Sequence, residues 1–217
     1  MTAIKIPALY PIIDADTLNA TCAAGELLPA VCAQARALAE AGCTVIQLRA
    51  KRLSARELLS HARELRRLLP HAMLIMNDRA DLCLAAGFHG VHIGQEDLSP
   101  QGARLVVGPA RVVGLSTHNA AQFAEALTEP VDYLAIGPIF ATSSKQDADP
   151  VVGLDGLAEA RRLLRESGRD LPLVAIGGIT RANAQAVFQA GADSVAVIGD
   201  ISVSPLESAR EFFRLMM

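Results

Sequence analysis

The chain has 217 residues, 51% of them hydrophobic and 20% charged, with a net charge of −3 at pH 7. That mix supports one large packed core and excludes a disordered chain. It gives no electrostatic basis for nucleic-acid binding, and no apolar run is long enough to span a bilayer, since AMLIM meets Asn77 and Asp78 at once. Aromatics are only 4% with no Trp, so the core must come from Ala, Leu, Val and Ile. Such a bias suits a parallel sheet buried on both faces. The opening MTAIKIPALYPIID lacks the long apolar stretch of a signal peptide. Cys22, Cys32, Cys43 and Cys83 have no CxxC spacing, as expected of reduced thiols in a cytoplasmic protein.

In chain order, apolar runs predict strands at 8–14, 44–51, 73–77, 90–94, 111–116, 133–137, 173–178 and 194–199. Between and after them, helical spacing of apolar residues predicts helices at 27–42, 54–69, 79–87, 101–108, 119–129, 154–168, 181–191 and 207–216, several ending at Gly. Eight βα units of about 27 residues each predict an α/β fold of the (β/α)8, or TIM-barrel, type, with residues 1–217 forming one domain. A doubly wound sheet is the runner-up. It would normally carry a Gly-rich loop after its first strand, which ALYPIIDADTL lacks.

Catalytic groups of such barrels sit where strands end and in the loops that follow. In VIQLRAK, period-two alternation puts Gln47, Arg49 and Lys51 on the face opposite Ile46 and Leu48. The aliphatics belong under helices, so the polar set points into the barrel and its mouth. A buried Arg needs an anion, supplied either by a ligand or by an internal carboxylate. The third strand ends in Asn77-Asp78, and the loop after the fourth carries Gln95, Glu96 and Asp97. Two carboxylates from adjacent strand ends can share Mg²⁺, although Asp78 could also cap the next helix, as Asp81 reads as an ordinary first-turn acid.

After the sixth strand, GPIFATSSKQDADPVVG brings Thr142, Ser143, Ser144 and Lys145, a composition suited to a phosphate-binding lid or to a plain solvated loop. Gly177-Gly178 and Gly199-Asp200 close the seventh and eighth strands, where barrels commonly bind phosphate. His89 and His92 fall on opposite sides of an extended segment, which argues against zinc. His61 and His71 read as helix-surface residues, and His118 as a capping or packing residue within reach of a substrate.

Taken in order, IQLRAK, MND, GVHIGQEDL, GLSTH, IGPIFATSSK, AIGGI and GADSVAVI resemble the thiamine phosphate synthase family, from Leu9 to the last helix. The resemblance implies transfer of a 4-amino-2-methyl-5-pyrimidinylmethyl group from its diphosphate to hydroxyethylthiazole phosphate, assisted by Mg²⁺ as cofactor. It implies that Gln47, Arg49 and Lys51 face the pyrimidine and its diphosphate, that Asn77 contacts diphosphate, and that Asp78 and Asp97 hold Mg²⁺. Ser116 matches the pyrimidine-side hydroxyl and Lys145 the diphosphate lysine. Thr142 and Ser144, with Gly178 and the backbone at Ile198 and Gly199, match the thiazole phosphate site. Arg49, Lys145 and Ser116 are then the catalytic set.

The partners implied are these small molecules, with no nucleic acid and no membrane; a homo-oligomer is compatible. Ala50 stands where the family often has Glu, Ala141 where Pro is frequent, and Gly199 where Ser is common. The alternatives are a metal-free thiazole tautomerase, a sister barrel that generally lacks the two carboxylates, and a non-catalytic barrel binding thiamine precursors.

Overall fold

The computed structural model describes residues 4–142 and 149–216. Eight parallel strands close into a barrel in sequence order: β1 Leu9–Asp14, β2 Val45–Arg49, β3 Met73–Asn77, β4 Gly90–Ile93, β5 Val112–Thr117, β6 Tyr133–Ile136, β7 Leu173–Ile176 and β8 Ser194–Val197. Pairing of β1 with β8 through Tyr10 and Ala196 completes the ring, which excludes the doubly wound alternative.

Around it lie α1 Ala15–Asn19, α2 Leu27–Glu40, α3 Ala55–Leu68, α4 Ala80–Ala86, α5 Pro100–Val107, α6 Ala120–Ala126, α7 Gly153–Glu166, α8 Ala184–Gln189 and α9 Pro205–Leu215. Local chemistry fixes their starts. Ser54 and Glu57 form a reciprocal capping box on α3, and Ser99 caps α5 ahead of Pro100. The short α1 was not expected; the Asp14 carboxylate, which accepts from the Thr17 amide at 3.0 Å, stops the strand and starts the helix.

Strand alternation sorts two cores. Ile13, Ile46, Leu48, Leu74 and Met76 pack outward against the helices, while Tyr10, Ile12, Val45, Ile75, Tyr133 and Val174 fill the barrel. Burial of these side chains supplies the bulk of the driving force, at about 25 cal/mol per Å² of apolar surface. Ala50 packs on the outer core, as its place in the alternation predicts, so a Glu there would not face the mouth. Contrary to expectation His61 is buried, at 8% exposure, because it lies on the inner stripe of α3 with Leu58 and Leu65, its Nδ1 2.7 Å from the Glu57 carbonyl. Among the described residues no helix is long and apolar enough to cross a membrane.

Candidate active site

A cavity of about 540 Å³ opens at the C-terminal ends of the strands. The strand-two residues Gln47, Arg49 and Lys51 all line it, as do Asn77, Asp78, Asp97 and Ser116. Thr142, Gly178, Ile198 and Gly199 border the same cavity on the far side. Ser144 and Lys145 lie outside the described residues.

Arg49 has an internal counter-ion that the sequence reading left unassigned. Its Nη1 donates to Asp14 Oδ2 and lies 4.0 Å from Asp16 Oδ2. Asp14 is almost fully buried, and Arg49 keeps 18% of its side chain exposed. Among the described residues nothing holds its Nε or Nη2, so the cation is anchored at one corner while its remaining donors stay available to the cavity. Asp16 in turn accepts from the backbone amides of Lys51 and Arg52, at 2.7 and 3.1 Å. The IIDAD sequence at the end of β1 thus positions the polar end of β2. Carboxylates at a strand end were the signal available for finding it.

The two acids proposed for metal meet from neighbouring loops. Asp78 does not cap α4, whose N-cap is Arg79. Instead Asp78 takes a left-handed φ of 62°, held by its amide donating to the His92 carbonyl at 2.8 Å. Its carboxylate meets Lys51 Nζ at 2.9 Å, and Asp97 lies beside it. Asp97 is turned inward by the Gly94 amide, which donates to its Oδ2 at 2.7 Å. Burial pushes the Asp78 carboxyl up, Lys51 pulls it back, and Asp97 pushes it up again. Two oxygen donors crowded together, only one of them paired with a partly exposed lysine, suit a hard cation. Among the described residues no group of three or more His, Cys, Asp or Glu could hold a metal, so further coordination would fall to water and substrate oxygens.

On the opposite wall, Gly178 has a φ of 64°, and a Cβ there would fall 2.6 Å from the Ala141 carbonyl oxygen. Only glycine lets the loops after β6 and β7 approach so closely. Asn183 Nδ2 donates to the Gly178 carbonyl at 3.0 Å and fixes that peptide. At Gly199 a Cβ would meet nothing within 4 Å, so packing does not demand glycine there. His118 also borders the cavity, its Nδ1 donating to the Gly137 carbonyl at 2.7 Å across a cis Gly137-Pro138 bond.

His92, to which its spacing assigns no role, points into the barrel. Its Nε2 is 2.8 Å from Ser116 Oγ, and its Nδ1 2.8 Å from Tyr133 Oη. Burial pushes its imidazole down to about 4, against the pull of the Asp97 charge. The unfolded chain, with an ordinary value near 6.5, therefore binds the extra proton across that window, and stability falls as pH falls through it. Urea unfolding is expected to show about 2 kcal/mol lost to this residue between about pH 7 and pH 5. In His92→Gln that share of the slope should vanish; an unchanged slope would refute the assignment.

The family model described as thiamine monophosphate synthase matches residues 17–201. The thiamine-phosphate synthase of Koribacter versatilis (strain Ellin345) is 55% identical over 216 residues, 99% of this chain and 98% of that protein. That of Methanoculleus marisnigri (strain ATCC 35101 / DSM 1498 / JR1) is 47% identical over 169 residues, 77% of this chain and 78% of that one. Among solved structures, the thiamine phosphate pyrophosphorylase from Pyrococcus furiosus is similar with a TM-score of 0.77 at 29% identity, covering 95% of this chain and 94% of that one. With sequence similarity along nearly its whole length and the same barrel beneath it, the chain belongs to the thiamine monophosphate synthase family.

Proposed function

We propose that the chain joins 4-amino-2-methyl-5-pyrimidinylmethyl diphosphate to hydroxyethylthiazole phosphate, giving thiamine phosphate and diphosphate. The observation that carries this reading is the convergence of Arg49, Lys51, Asp78 and Asp97 on one rim of a single cavity. The methylene–oxygen bond breaks with its electron pair leaving on diphosphate, and the thiazole nitrogen lone pair forms the new carbon–nitrogen bond. No proton has to be removed from that nitrogen, so no general base is required. What must be stabilised is negative charge gathering on the departing diphosphate.

Arg49 and Lys51, with Asn77 and Lys145, are the donors we assign to that charge. Donors held in place before the bond breaks stabilise such charge most, and Asp14 holds Arg49 in that way. Ser116 and Gln47 take the pyrimidine side. Thr142 and Ser144, with backbone amides at Gly178, Ile198 and Gly199, take the thiazole phosphate. Asp78 and Asp97 are the residues that would hold Mg²⁺, which when bound neutralises diphosphate charge. Holding both substrates in one cavity contributes through proximity, and the electron-rich aminopyrimidine favours a dissociative path.

The test incubates purified protein with both substrates and Mg²⁺ and follows diphosphate release. Release that needs both substrates and stops with a chelator is the expected result. Absence of release under saturating substrates and metal would overturn the reading.

A further inference from the structure

Five side chains from five strands form one hydrogen-bonded chain through the barrel interior. Gln47 Nε2 donates to Tyr10 Oη at 2.9 Å, and Tyr10 Oη meets Tyr133 Oη at 2.9 Å. Tyr133 Oη meets His92 Nδ1 at 2.8 Å, and His92 Nε2 meets Ser116 Oγ at 2.8 Å. Both ends, Gln47 and Ser116, line the cavity, while Tyr10 and Tyr133 are 1% and 0% exposed. The ring of Tyr133 stacks on His92 with centroids 5.4 Å apart, in space left by Gly114, where a Cβ would fall 2.0 Å from Tyr133 Cζ. None of the inner members has a role in the reaction as set out above.

We propose that this chain is a one-way relay that holds His92 with its proton on Nε2 and so commits the Ser116 hydroxyl to donate into the cavity. The direction of the relay follows from a count of hydrogens. Tyr10 accepts from Gln47, and among the described residues the only other partner of its buried hydroxyl is Tyr133, so its single hydrogen goes there. Tyr133 then spends its own on His92 Nδ1. A neutral imidazole whose Nδ1 accepts carries its proton on Nε2, where it faces Ser116. Ser116 accepts that proton's bond, and its own hydrogen is left for a ring nitrogen or other acceptor of the bound pyrimidine. Burial keeps both phenols protonated and the imidazole neutral near pH 7, so every link keeps its donor. His92, Tyr133 and Tyr10 are thus positioning residues, acting on substrate through Ser116. The statement about substrate rests on the synthase reading; the tautomer does not.

The experiment has two arms. Long-range ¹H–¹⁵N correlation spectra of the full-length protein, labelled at histidine nitrogens and held near neutral pH, identify His92 as the ring missing from His92→Gln. A bare Nδ1 with a protonated Nε2 is expected. A proton on Nδ1 would reverse the relay and overturn the proposal, whether or not the protein makes thiamine phosphate.

In the second arm, Tyr133→Phe keeps the ring and cuts one link. Turnover is expected to fall roughly three- to tenfold, the net worth of one neutral hydrogen bond. The same change in a Ser116→Ala background should cost less than about twofold, because the coupled partner is already gone. Equal losses in both backgrounds would mean that Tyr133 only packs, and would sink the relay. If Tyr133→Phe does not fold, the spectrum of the unaltered protein still decides the tautomer.

Discussion

Alanine at Asp78 is expected to slow diphosphate release on the order of 10²-fold or more while leaving stability nearly unchanged. The two halves of that expectation have separate causes. Asp97 lies beside Asp78, and the cationic partner of Asp78, Lys51, is half exposed. An exposed ion pair stabilises by at most about 1 kcal/mol, and removing one of two adjacent carboxylates also removes their repulsion. Replacing a residue held at φ 62° does not relieve the backbone, since alanine is less at home there than aspartate. These opposing small terms leave the unfolding midpoint near its original value.

The rate, by contrast, loses a charge that would help hold the cation against the leaving group. Initial rates measured across a range of Mg²⁺ concentrations, beside urea unfolding, read both halves. Asp81→Ala serves as control, because Asp81 is an exposed first-turn acid paired with Arg79 at 2.6 Å. An Asp78→Ala rate within a few-fold of the unaltered protein would refute the metal assignment, whatever became of the synthase reading.

How far the sequence anticipates this arrangement depends on the range of the interaction. β3 runs from Met73 to Asn77 as its five apolar and polar letters suggest, and the other strands begin and end within two residues of expectation. Apolar spacing is a local property, and barrel closure follows from repeating it eight times. The short α1 escapes because five residues held by one aspartate cap show no periodicity. Within the site, alternation tells which face Gln47 and Arg49 take. It cannot tell which of seven other strands stands across the barrel.

Tyr10 and Tyr133, 123 residues apart, therefore carry no local sign of contact, and their link to His92 and Ser116 exists only once the ring closes. The neighbours of the His92 ring are hydroxyls, which make it a hydrogen-bonding residue. The same limit hid Asp14, whose partnership with Arg49 crosses from β1 to β2.

That partnership makes Arg49 the residue whose removal should be felt twice. Arg49→Ala is expected to cost on the order of 10²- to 10³-fold in turnover, by deleting a fixed cation beside the leaving diphosphate. It should also cost about 3 kcal/mol in unfolding free energy, because the Asp14 carboxylate, 3% exposed, loses its counter-ion. Arg49→Lys would not restore both functions. A lysine offers one compact ammonium, whereas the guanidinium bonds Asp14 with one nitrogen and turns others to the cavity.

The double change of Asp14→Asn with Arg49→Ala separates the two costs. Asparagine keeps an oxygen for the Thr17 amide and carries no charge, so much of the lost stability should return. The rate should stay low, because nothing cationic has been put back. If instead the double variant regained activity along with stability, Arg49 would be an internal ion-pair residue that folds the mouth of the barrel without touching substrate. The charge facing the leaving group would then have to come from Lys51 and Lys145.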